Sequence, residues 1–100
     1  MITMQNFNPL DGLTQTIGAS SGSSNGITIP ADATDVAIYN ESGATAFIKF
    51  GNTNMPTATL SDYPIPSGGW TVIGKGKADK MAATLKSGSG NIYVTPGYGA

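Results

Sequence analysis

The chain has 100 residues, 11% of them charged, and a formal net charge of −1 from five lysines and six acids. That is about one domain. It lacks the clustered Lys or Arg that would neutralise phosphates or anionic headgroups, so neither nucleic acid nor a membrane surface is expected as a partner. With no cysteine and no histidine, it has no disulfide, no thiolate metal ligand and none of the commonest general base.

Residues 1–12 read as an N-terminal arm ahead of a domain over 13–100. The arm carries no charge before Asp11, and Pro9 and Gly12 interrupt regular structure. It has no basic start and no long apolar run, so a signal peptide is not expected. Its apolar groups Ile2, Met4, Phe7 and Leu10 are unusual for a solvated tail. Either they fold back as an edge strand of their own domain or they dock on a neighbouring subunit.

Residues 13–17 alternate apolar and polar and predict a strand. Residues 18–26, rich in Gly and Ser, predict a flexible loop. Ile27-Thr28-Ile29 is a short strand ended by Pro30. Residues 35–39 and 45–50 are two strands joined by Asn40-Glu41-Ser42-Gly43, which predicts a β-hairpin. In the second of them Ala46, Ile48 and Phe50 share the face expected to meet the core.

Residues 60–65 are extended, and Pro64 assigns them to a sheet edge. Pro66-Ser67-Gly68-Gly69 turns the chain into a strand over 70–74. Residues 80–86 suit a strand with Met81, Ala83 and Leu85 on one face. A two-turn helix over 79–86 is the alternative on propensity alone. Ser87-Gly88-Ser89-Gly90 then turns the chain, residues 91–95 pair back with Ile92 and Val94 inward, and 96–100 form an extended tail. Seven or eight short strands with Gly/Pro/Ser turns argue an all-β fold, a single β-sandwich or jelly-roll-like domain. Ile38, Ile48, Phe50, Leu85, Ile92 and Val94 are the expected core.

The catalytic inventory is sparse. The serines sit in Gly-rich turns with no histidine to activate them. The acids Asp11, Asp32, Asp35, Glu41, Asp62 and Asp79 mostly flank turns or strand starts, where aspartate serves local hydrogen bonds. The step from Asp32 to Asp35 lacks the dense oxygen spacing of a calcium loop. Gly74-Lys75-Gly76-Lys77 is not a phosphate-binding loop, since no helix follows it. No enzyme activity, cofactor or metal is expected. Trp70, Tyr63, Tyr93 and Tyr98 offer a possible sugar-stacking platform, although core or interface packing is the commoner use of such residues.

Three stretches resemble small structural proteins of tailed bacteriophages. One is Asp35-Val36-Ala37-Ile38-Tyr39-Asn40 followed by Gly43-Ala44-Thr45-Ala46-Phe47-Ile48-Lys49-Phe50-Gly51. The others are Tyr63-Pro64-Ile65-Pro66-Ser67-Gly68-Gly69 and the run from Ser87 through Asn91-Ile92-Tyr93-Val94-Thr95-Pro96-Gly97-Tyr98-Gly99. The resemblance covers roughly residues 27–99 and consists of turn chemistry and strand patterning. It implies a non-enzymatic virion component that decorates or cements the capsid surface, with the major capsid protein as partner and a homo-oligomeric arrangement on the shell. No site residue carries over from it. For capsid or subunit contact the arm residues Ile2, Met4, Phe7 and Leu10 are the candidates. The competing readings are a head–tail or fibre-associated virion protein and a carbohydrate-binding β-sandwich.

Overall fold

The computed structural model describes residues 7–99. Among them are nine strands and no helix: β1 (Asn8–Pro9), β2 (Gln15–Ser20), β3 (Asn25–Thr28), β4 (Asp35–Asn40), β5 (Ala46–Gly51), β6 (Tyr63–Ile65), β7 (Trp70–Gly74), β8 (Lys80–Leu85) and β9 (Ser89–Tyr98). They form two antiparallel sheets that pack as a β-sandwich. In sheet A, β9 lies between β4 on one side and both β2 and β1 on the other, and β7 closes the far edge against β4. Sheet B runs β3-β8-β5-β6.

The core follows from strand alternation. Ile17, Ala19, Val36, Ile38, Ile92 and Val94 from sheet A meet Ala46, Ile48, Ile65, Met81, Ala83 and Leu85 from sheet B. Five of the six expected core residues, Ile38, Ile48, Leu85, Ile92 and Val94, are buried. Phe50 is half-buried and packs at the rim, because it stands where β5 runs out into a surface loop. The strand reading of residues 80–86 holds, as does the edge position of the segment with Pro64.

The pairing departs from expectation in two places. Strands β4 and β5 do not form a hairpin: β4 pairs with β7 and β9, whereas β5 pairs with β6 and β8. Likewise β9 does not pair back on β8, because the chain crosses from sheet B to sheet A between them. The reason is burial. Both β4 and β8 are covered on both faces along nearly their whole length, so each needs strand neighbours on either side. Gly-containing turns serve an arch between sheets as readily as a hairpin within one. Residues 18–26 are not one loop either, since Gly18, Ala19 and Ser20 extend β2, and Asn25 and Gly26 begin β3. The segment read as a C-terminal tail continues β9 through Tyr98, with Pro96 and Gly97 buried.

Asn40 fixes the arch between β4 and β5. Its side chain is fully buried. Its Nδ2 donates to the carbonyls of Ala44 (2.8 Å), Ile65 (2.9 Å) and Pro66 (3.2 Å), and its Oδ1 accepts from Ser42 N–H (3.0 Å) and Ser42 Oγ (2.6 Å). One amide thus ties the end of a sheet A strand to the end of the sheet B edge strand β6.

Candidate functional site

The outer faces of the two sheets differ. Sheet B is roofed by its own chain over β3 and β8, while Lys49 and Pro64 on the same face stay exposed. The loop between β5 and β6 places the Met55 sulfur directly over Gly26, where a side chain would collide with it. Ala58 is buried there, its N–H donating to Ser24 Oγ (2.8 Å). Ala82, which points outward from β8 beside Gly26 and Lys49, is consequently 0% exposed. At the margin of this roof is an open depression of about 290 Å3 lined by Ser21, Ser23, Thr57, Thr59, Leu60 and Lys86.

On sheet A, Asp35 and Ala37 of β4 are also buried on the outer face, but the row beyond them is open among the described residues. Register places Trp70 of β7, Tyr39 of β4, Tyr93 of β9 and Thr16 of β2 in one row across the sheet. The row faces outward, because the alternate residues Ile38, Ile92 and Ile17 point to the core. Trp70 is 69% and Tyr39 38% exposed. The Tyr39 and Tyr93 rings stack, with centroids 6.2 Å apart and planes 15° from parallel. The Tyr93 hydroxyl donates to Glu41 Oε1 (3.1 Å), which holds that ring in place. The next row continues with Val72, Ala37 and Thr95, and Thr14 Oγ1 bonds Thr95 Oγ1 at 2.8 Å. The result is a flat aromatic and hydroxyl surface without a lysine.

Sequence reasoning named two members of this row, Trp70 and Tyr93. The others it grouped with them lie elsewhere: Tyr63 is on β6 in the opposite sheet, and the Tyr98 hydroxyl is 3.4 Å from Asp32 Oδ2 at the end of β9. Tyr39 was missed as a surface residue. The alternation of Val36 and Ile38 already assigned it to the face opposite the core. Of the four arm candidates, Ile2 and Met4 lie outside the described residues. Phe7 and Leu10 are half-buried on their own domain. The Phe7 ring lies where a Cβ on Gly97 would stand, Asn8 and Pro9 pair with Tyr98 and Gly97, and Leu10 N–H donates to Pro96 O (2.9 Å).

The lysines of residues 75–80 do not form a patch. Lys80 Nζ lies 3.0 Å from Thr28 Oγ1. Lys75 is buried, and its ammonium donates to the carbonyl of Ala78 (2.6 Å). Burial lowers its pKa from the usual 10.5, opposed by the charges of Asp32, Asp79 and Asp35. Just below pH 10.5 the unfolded chain therefore binds more protons at this position than the folded chain, and the contribution of Lys75 to stability rises with pH. Denaturant melts taken as pH rises towards 10.5 should show wild type gaining on Lys75→Met. A flat difference would mean that the three acids cancel the effect of burial.

No protein-family model matches the chain, and no curated protein or solved structure is significantly similar to it.

Proposed function

We propose that the domain is a non-enzymatic virion structural protein that binds the outside of a phage capsid and decorates or cements the shell, with the outer face of sheet A as its docking surface. The observation that carries this reading is the row on the outer face of sheet A, where Trp70, Tyr39 and Tyr93 stand side by side, whereas the β5–β6 loop covers the β3–β8 part of the opposite face. Aromatic residues on a surface poor in charge are the composition of protein interface centres. The resemblance of residues 27–99 to tailed-phage structural proteins supplies the partner, the major capsid protein. A lattice of identical sites adds avidity, and a domain that binds the assembled shell but not free subunits stabilises the shell by mass action.

Binding of the purified domain to undecorated heads of its phage, measured by co-sedimentation, tests this. Tyr39→Ser is expected to weaken binding tenfold or more, about 1.4 kcal/mol, with the fold retained because Tyr39 lies outside the core, although loss of the stack on Tyr93 lowers its melting temperature. Unchanged binding would remove sheet A from the interface. The exposed Trp70 indole favours one second reading, a carbohydrate-binding module. Under it the domain would bind members of a glycan array and lose them in Trp70→Ala.

A further inference from the structure

The edge of sheet A at β7 differs from the other sheet edges. On β2 and β3, side chains occupy outward-facing carbonyls: Asn25 Nδ2 donates to Gly18 O (3.0 Å), Thr84 Oγ1 to Ser20 O (3.1 Å), and Gln15 Nε2 to Thr28 O (2.6 Å). Strand β6 is three residues long and contains Pro64. These are ordinary devices that prevent a sheet from growing. Strand β7, Trp70-Thr71-Val72-Ile73-Gly74, has no proline and no charge and, among the described residues, pairs on one side only, with β4.

Its hydrogen-bonding parity is fixed. Lys75 N–H donates to Thr34 O (3.0 Å) and Asn40 N–H to Gly69 O (2.9 Å). In an antiparallel ladder bonded pairs alternate, so the odd-numbered residues of β7 turn their polar backbone groups to β4. Trp70, Val72 and Gly74 turn theirs to the open edge.

We propose that β7 pairs antiparallel with β7 of a second copy of this chain about a two-fold axis at Val72, joining the two A sheets into one. Three features of the edge select this occupant and register. Centring on Val72 pairs Val72 with Val72 of the second copy and Trp70 with its Gly74, and these are the residues whose N–H and C=O groups face outward. Trp70 then lies across from a glycine whose outer side is open, since a Cβ added at Gly74 would approach only Asp35 Oδ1, at 3.4 Å. A large ring covering a cross-strand glycine is a favourable sheet pairing. Finally, the edge is uncharged, so self-pairing brings no like charges together. A five-residue strand pair with two indoles is small for a stable interface, so the dimer belongs to the weak, concentration-dependent class. The inference concerns the edge of sheet A; it shares Trp70 and Val72 with the docking face, but self-association of the purified chain is read without any capsid and fails or holds independently of docking.

Sedimentation equilibrium of the full chain up to about 1 mM, the range of weak association, is the test, with Val72→Lys and Val72→Glu alone and mixed one to one. The Val72 side chain is half-buried on the outer face, away from the core cluster, and circular dichroism verifies the fold of each variant. Wild type should dimerise. Each variant alone should be monomeric where wild type is mostly dimer, because identical charges would meet at the axis. The mixture should dimerise at least tenfold more tightly than either variant. A monomeric wild type, dimers that persist in the single variants, or a mixture no tighter than its components would each overturn the proposal.

Discussion

Replacing Asn40 by alanine should destabilise the domain by roughly 3–4 kcal/mol, the cost of leaving several buried polar groups without partners. For a domain of this size that lowers Tm by about 15–25 °C. The Asn40 amide serves three carbonyls and two donors of Ser42 while fully buried. Water cannot replace those partners unless the arch opens. Asn40→Asp is the informative companion. It keeps the acceptor for Ser42 but sets a buried carboxylate against the carbonyls of Ala44, Ile65 and Pro66. Its folded-state pKa should rise above the unfolded value, so this variant should regain stability as pH falls through the raised pKa. A cost below about 1 kcal/mol for Asn40→Ala, the worth of one ordinary hydrogen bond, would show that the amide does not join the two sheets.

Truncating Ile38 to alanine should cost about 2–5 kcal/mol. The side chain is 0% exposed at the middle of β4, with Thr71 of β7 on one side and Val94 of β9 on the other, and neither sheet can collapse into the cavity without breaking register. Phe50→Ala removes a larger group from the rim and should cost less, about 1–2 kcal/mol for an incompletely buried ring. Urea midpoints of the two variants decide the order. A larger loss at Phe50 than at Ile38 would mean that the centre of the core lies towards β5's exit and not between the sheets.

These two residues show what local sequence carries. Ile38 was legible because period-two alternation assigns a face whichever strands become neighbours. The same rule identified the inward residues of β8 and β9, and the Pro66–Gly69 turn marked the start of β7. Asn40 was read as part of a turn, which it begins, but its inward-directed amide depends on where β6 ends, 25 residues later. Pairing failed for the same reason. Gly and Ser report that the chain reverses without reporting whether it stays in its sheet, so the arches after β4 and β8 looked like hairpins. The aromatic row was half visible. Trp70 and Tyr93 were recognised as available, but the third member emerged only when register set Tyr39 between them.

The central place of β9 bears on how the domain is made. Strands β1 and β2 have β9 as their sheet partner, and β4 depends on it for one of its two neighbours. During synthesis, while residues 89–98 are still inside the ribosome, sheet A amounts to a β4–β7 pair, and Ile17, Val36 and Ile38 have no completed layer to bury them. Sheet A is therefore completed only after its last strand has emerged. A stall or cleavage before β9 emerges releases a chain with an open core, prone to aggregation. Ribosome-bound nascent chains lengthened through this region should acquire protease resistance in one step, once β9 clears the exit tunnel.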